Sequence, residues 1–261
     1  MDANTGRNFI ERLTWDAVAR RIDDGAAAIL PIGAAAKQHG FHLPMNTDRI
    51  QAEWLAARLA DRIDALIWPT VVYGYYPAFA EYAGSSGLSA PVFEATIAEI
   101  ATDILGFGCR ALFVLDTGIS TMAPVDRALA RLKSHDALHL GAYDGPRFRR
   151  AAQKLAEQSH GSHADELETS VMLALAPDLV DMSRAEASPA LQHETPEPLT
   201  PTDKSSPNYS RSGSYGDPTL ATPAKGELLL AAIVEDLAET AAAFLAEKDK
   251  SGETTHRSAS T

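Results

Sequence analysis

Histidines and carboxylates recur at two places with spacing suited to hydrolytic or metal chemistry. His39 and His42 lie in Lys37-Gln-His-Gly-Phe-His-Leu-Pro, just after an apolar run, and Asp48 follows at the start of a helical pattern. His160 and His163 precede Asp165, Glu166 and Glu168 in HGSHADELETS. Imidazole nitrogens and carboxylate oxygens suit a divalent ion such as zinc or manganese. One carboxylate bridging two such ions could help generate a hydroxide nucleophile. Structural roles compete with this reading. A loop histidine can simply hydrogen-bond, and Asp48 beside Thr47 can cap a helix. Glu166 and Glu168 fall in a first helical turn, where acids suit the helix dipole, and a two-residue spacing points them to different faces. His163 is expected just before that helix. Asp116, in the segment DTGIST, is either a ligand at a strand end or a turn-capping residue. GxGxxG, P-loop, HExxH and GxSxG signatures are absent. Ser85-Ser86 reads as loop, and Cys109 as a small buried core residue.

The elements that must position these groups alternate. Residues 26–32, 66–68, 111–115 and 137–140 read as strands, and continuous apolar strands of this kind suit a parallel sheet covered on both faces. Helical patterns are expected from Thr14 to Asp23, Thr47 or Asp48 to Ile63, Val92 to Leu105, Val125 to Leu132, Ala164 to Ala176 and Glu227 to Glu247. The order predicts an α/β fold, and ligands of open α/β sheets bind at the carboxyl ends of strands. Two segments break the pattern. Residues 69–89 carry four tyrosines and a phenylalanine among Gly, Pro and Ser. Residues 188–224, rich in Pro, Ser and Thr, form either a solvated excursion or a loop over a site or a neighbouring subunit.

Composition narrows the class. Of 261 residues 45% are hydrophobic, enough for a globular core and against global disorder. A single domain over residues 1–250 with a tail at 251–261 is the expected organisation. One cysteine excludes an internal disulfide and a Cys-based zinc site. The polar start MDANTGRNFIERLTWD does not read as a signal peptide, and no apolar run approaches a membrane span. The net charge of −12 disfavours nucleic-acid binding. A cytoplasmic protein acting on a small molecule, with no membrane or nucleic-acid partner, is the expectation.

Four ordered segments together resemble the creatininase (creatinine amidohydrolase) family. LPIGAAAKQHGFHLPMNTD (30–48) is similar to a family pattern close to LPxGSxEQHGPHLPxxTD. PTVVYGYYPAFAEYAGSSGLS (69–89) resembles its aromatic loop, HADELETSVMLALAPDLVDM (163–182) its HAGxxETS segment, and SYGDPTLATPAKG (214–226) its late GDPxxAxxxKG segment. The resemblance implies a three-layer α/β/α fold with a central, mainly parallel sheet. It implies metal-dependent hydrolysis of cyclic or small amides, and homo-oligomers, often hexamers. By it, His39 and Asp48 match metal ligands, with Asp48 bridging. His163 matches a catalytic or substrate-binding histidine, and Glu168 the acid of the same segment. The chain departs from the pattern twice. Lys37 stands where the family has a ligand Glu, and residues 116–121 carry no histidine where an NGHGGN-type segment supplies one.

The leading expectation is a metal-dependent amidohydrolase with one or two Zn or Mn ions. Metal ligands are drawn from His39, Asp48, Glu168 and Asp116, with His163 and Lys37 as catalytic groups. Tyr75, Tyr76, Phe79 and His42 are expected against the substrate. Two alternatives remain open: a ligand-binding or scaffold protein that has lost metal chemistry, with Lys37 paired to Asp48 or Asp116, and non-metal catalysis through Lys37 as acid, base or imine-forming group.

Overall fold

The structure, a computed structural model, describes residues 6–132, 135–188 and 198–258. In chain order the main elements are α1 (Trp15–Asp23), β1 (Ala27–Ile32), α2 (Thr47–Ala60), β2 (Ala65–Ile67), α3 (Ala90–Gly106), β3 (Leu112–Asp116), α4 (Met122–Ala130), β4 (Ala137–Gly141), α5 (Pro146–Leu155), α6 (Glu166–Leu175) and α7 (Pro223–Ser258). The four strands form a parallel sheet in the order β2-β1-β3-β4, with Ala28 paired to Leu112 and Ile32 to Asp116.

Successive side chains of a strand point to opposite faces, and here both faces are covered. Ala27, Ile29, Phe113 and Leu115 pack with Leu55 and Leu59 of α2, Val171 of α6, and Leu229, Ile233 and Leu237 of α7. Ala28, Leu30, Leu112 and Val114 pack with Ile22 of α1, Phe93, Ile97 and Ile104 of α3, and Val125 of α4. This double burial explains why β1 and β3 are apolar without alternation. The result is the expected three-layer α/β/α arrangement. Cys109 is buried in the second of these clusters, as expected, and burial pushes its thiol up to about 11.

Two local features differ from the expectations, and a third decides between two open readings. Helix α5 has no counterpart among them. Its apolar stripe, Phe148, Ala151, Ala152 and Leu155, does pack on the core. Its start is held from a distance: Asp236 of α7 accepts from Arg147 N and Phe148 N, each at 2.9 Å. Residues 251–258, expected as tail, continue α7, whose bounds are Pro223–Ser258. The long excursion is not merely solvated. Residues 189–197 lie outside the described residues, but Asn208, Ser210, Ser212 and Ser214 are buried, and Tyr215 bridges to His163. No helix among the described residues is long and apolar enough to cross a membrane.

Candidate active site at the switch point of the sheet

The chain leaves β1 toward β2 on one side of the sheet and later returns to β3 on the other. Such a reversal opens a crevice beyond the carboxyl ends of the two central strands. A cavity of about 390 Å³ lies there, bordered by Ile32, Gly33 and Ala34 after β1 and by Asp116–Thr121 after β3. Gly33 permits the close packing of this corner. A Cβ there would lie 2.5 Å from the Asp48 carbonyl oxygen and 2.8 Å from Ala52 Cβ, so any larger residue would push α2 outward. Helix α2 thereby presents Asp48 to the cavity from its first turn.

Asp48 does not cap that helix. Asn46 occupies the N-cap position, and Asp48 spends both oxygens on the loop after β1. Lys37 Nζ is 2.7 Å from Asp48 Oδ2 and His39 Nε2 is 3.0 Å from Oδ1. All three side chains are buried, and the Lys37 ammonium also sits 5.3 Å from the centre of the Phe79 ring. Burial alone would raise the Asp48 carboxyl. The Lys37 ammonium, with His39, outweighs it and holds the group well below the usual carboxylate range.

Helix α6 supplies the second half of the site. Asp165 caps it, accepting from Leu167 N and Glu168 N at 3.0 Å, and its own carboxyl is raised chiefly by burial. Ala164, just before the cap, has φ 46°. That left-handed conformation costs a side-chain-bearing residue about 1–2 kcal/mol. Ala164 N donates to Glu168 Oε2 at 2.7 Å, so the strained peptide fixes this carboxylate. Glu166 points the other way, as the spacing implied, accepting from Glu157 N and Gln158 N and pairing with Lys225 of α7. His163 Nε2 is 2.9 Å from the Gln38 carbonyl oxygen and 3.2 Å from the Gln38 amide nitrogen, and the shorter contact favours a proton on Nε2. Nδ1 is then bare and lies 3.8 Å from Glu168 Oε2. Burial first, then the Lys37 charge, pushes His163 well below the ordinary histidine value, so the ring is neutral near pH 7.

The donor set can be tested against a divalent ion. His39, His163 and Glu168 each offer a ligand atom, all within 4.8 Å of one another. His39 Nδ1 is 2.9 Å from the Lys37 carbonyl oxygen and must donate to it. His39 Nε2 then faces two carboxylate oxygens, Asp48 Oδ1 at 3.0 Å and Glu168 Oε1 at 3.7 Å. Both oxygens crowd this nitrogen, and a proton or a metal ion between them relieves the repulsion. A zinc tetrahedron with bonds of about 2.0–2.1 Å has edges of about 3.3–3.4 Å, which these separations bracket. His39, His163 and Glu168 lie close enough to share one ion, with Asp48 beside His39. They do not fit two, because Lys37 occupies the other Asp48 oxygen and residues 116–121 bring no histidine.

Of the groups singled out from sequence, Lys37, Asp48, His163, Glu168, Asp116, Tyr75, Tyr76 and Phe79 all border the cavity. His39 is wholly buried behind Asp48. His42 is not among the bordering residues. Its Nε2 bonds Thr169 Oγ1 at 2.8 Å, and burial lowers it to about 4. His160 faces Tyr215 and the Ser188 carbonyl instead. Asp116 Oδ1 accepts from Gly118 N and Thr121 Oγ1, each at 2.8 Å, so the turn-capping reading holds for one of its oxygens. Several site residues lacked a sequence signal. Tyr143 borders the cavity and donates to Gln51 Oε1, and Gln51 in turn reaches Glu168 at 3.5 Å. Gln38 Nε2 donates to Gly213 O at 2.9 Å, tying the late loop to the site. Gly213 has φ +85°, and a Cβ there would meet the Gln38 amide at 2.3 Å.

The family model described as "Creatininase: Creatinine amidohydrolase" matches residues 11–241. This chain belongs to the creatininase family. Within it, the chain is 28% identical over 250 residues to the creatinine amidohydrolase of Pseudomonas putida, covering 88% of this chain and 95% of that one. It is 27% identical over 235 residues to a mycofactocin precursor peptide peptidase of Mycobacterium tuberculosis (strain CDC 1551 / Oshkosh), covering 85% and 86%. The solved "Creatininase Mn" superposes with a TM-score of 0.77 at 26% identity, covering 89% of this chain and 96% of that one. The chain is therefore a creatininase-family hydrolase with the family's α/β fold.

Proposed function

We propose that this creatininase-family member hydrolyses the C–N bond of a small amide, with one divalent ion, Zn or Mn, held by His39, Asp48 and Glu168. Lys37 replaces a second cation. The observation that carries the reading is the shared Asp48 carboxylate, with one oxygen on the Lys37 ammonium and the other facing His39 and the cavity floor. When bound, the ion supplies Lewis acidity toward the amide carbonyl and acidifies water.

The chain's own groups do the rest. Lys37 keeps Asp48 ionised and offers fixed positive charge at the cavity wall, where negative charge develops on the carbonyl oxygen. His163 is neutral with a bare Nδ1, the state a general base needs, and can take a proton there and return it to the leaving nitrogen. The Gln38 carbonyl at Nε2 favours this tautomer, and the Phe79 ring packs 4.1 Å away, centre to centre. Tyr75, Tyr76 and Phe79 form an apolar wall that binds the body of the substrate and excludes water.

The test pairs metal content with turnover on a panel of small amides and lactams. Asp48→Asn, which keeps size but removes charge, should lose both. Unchanged metal stoichiometry in that variant would sink the assignment. A wild-type protein with neither metal nor turnover would favour the reading in which the Lys37–Asp48 pair closes a binding site without hydrolysis.

A further inference from the structure

One buried carboxylate at the cavity has an oxygen that nothing in the mechanism above uses. Asp116 ends β3, and its side chain is 0% exposed. Oδ1 is satisfied by the turn that follows, but Oδ2 has no hydrogen-bond partner. His139 Nε2 on β4 forms an ion-pair contact with it at 3.6 Å, beyond hydrogen-bond length. Against the effect of burial, Asp116 and Asp126 raise the His139 value. Asp126 holds that ring by Nδ1 at 2.7 Å, and His139 Nε2 itself has no hydrogen-bond partner. A buried carboxylate oxygen without a donor is costly. Asp116 borders the cavity, and a small shift of the turn or of His139 that uncovers Oδ2 lets a molecule bound there supply the donor.

The surroundings fix the charge of that donor. Asp48, Asp116, Asp165 and Glu168 border the cavity against a single ammonium, Lys37, which is already paired with Asp48. An anionic ligand is repelled by this balance, and a cationic one is drawn in. Tyr75 and Tyr76 add aromatic faces, which favour cations as well as apolar groups.

We propose that Asp116 Oδ2 is a binding subsite for a protonated nitrogen of the substrate: an ammonium, amidinium or guanidinium group. The subsite rests on the reading of this cavity as the place where an amide is hydrolysed. Asp116 anchors the cationic end and selects it over neutral and anionic analogues. The competing account is that His139 turns by a few tenths of an ångström, pairs with Asp116 and leaves no subsite.

Calorimetric titration of the whole protein with three isosteric probes separates these accounts: benzamidine, benzamide and benzoate. A charge-assisted hydrogen bond predicts that benzamidinium binds about 10- to 100-fold tighter than benzamide, with benzoate weakest. Asp116→Asn should remove the preference, and it keeps the Oδ1 acceptor for Gly118 and Thr121, so the turn is retained. Asp126→Asn, on the solvent side of His139, should keep it. The three-probe ranking in wild type stands even if Asp116→Asn folds poorly. Equal binding of benzamidinium and benzamide, binding of neither, or a preference that survives Asp116→Asn overturns the subsite. Amide turnover is read separately in wild type and Asp48→Asn. Turnover without charge preference removes the subsite and leaves the hydrolase, whereas charge preference without turnover does the reverse.

Discussion

Replacing Lys37 with methionine tests the idea that its ammonium stands in for a cation. The side chains of Lys37 and Asp48 are 9% and 5% exposed, so solvent screens their 2.7 Å contact little. Methionine fills similar space but leaves the Asp48 carboxylate buried beside Glu168 with only His39 to offset it. Removing one partner of a buried pair costs about 3–5 kcal/mol. For a chain of this size each kcal/mol moves Tm by about 2–4 °C, so Lys37→Met should melt roughly 6–20 °C lower in chelator. Excess Mn or Zn should restore more stability to the variant than to wild type, because an ion then neutralises a carboxylate that Lys37 otherwise serves. The pH dependence has a definite sign. Asp48 has a depressed folded value, so its contribution is present above the unfolded carboxyl value of about 3.9 and is lost as pH falls through the folded one. The gap between the two proteins should therefore be widest near neutral pH and narrow on acidification. Differential scanning fluorimetry across pH, with and without metal, measures all three effects. A Lys37→Met protein that melts with wild type in chelator at pH 7.5 would refute the reasoning.

Other perturbations have equally defined outcomes. His42 is lowered to about 4, so the neutral ring carries stability that is complete above pH 6.5 and is lost as pH falls toward 4. His42→Gln, which keeps a donor for Thr169, should flatten that part of a pH–melting curve. Gly33→Val should abolish metal content and turnover together, since its side chain meets the backbone that carries Asp48. Metal content unaffected by this change would show that the corner yields more easily than the packing indicates. Gln38→Ala removes the amide that joins Gly40 N to Gly213 O and should cost about 1–3 kcal/mol. Hydrogen exchange should then rise at residues 210–216, and an unchanged pattern there would count against the tie. Glu168→Gln should lower metal affinity while leaving the Ala164 contact intact, and calorimetric titration with Mn checks it.

Much of the fold was readable because its signals are local. β1 and β3 are apolar on both faces, and that alone indicates a covered parallel sheet. The strand-end position of His39 and Asp48 follows from the same runs. Helix α5 was not readable: its start is secured by Asp236, 89 positions away from Arg147, and no nearby residue supplies that cap. The polar serines and glycines of the late loop left both a solvated excursion and a site-covering loop open, and the structure ties Ser210, Gly213 and Ser214 to one another and to Gln38 in a buried knot. His42 was expected against the substrate, but Gly40, with φ +70°, turns the chain between His39 and His42, and His42 bonds Thr169 instead. The spacing of Glu166 and Glu168 did predict opposite faces, and only the structure shows which of them reaches the site. Lys37 could be recognised as a departure from the family pattern and as a partner for Asp48 or Asp116, and the structure pairs it with Asp48.

The central claim is a site for one ion beside a tethered ammonium. Elemental analysis of protein purified without chelator, followed by titration of the metal-stripped protein with Mn and with Zn, measures this directly. The account predicts one ion per chain, lost in Asp48→Asn and weakened in Glu168→Gln. Two ions per chain, or none with no rise in Tm on adding either metal, would contradict it.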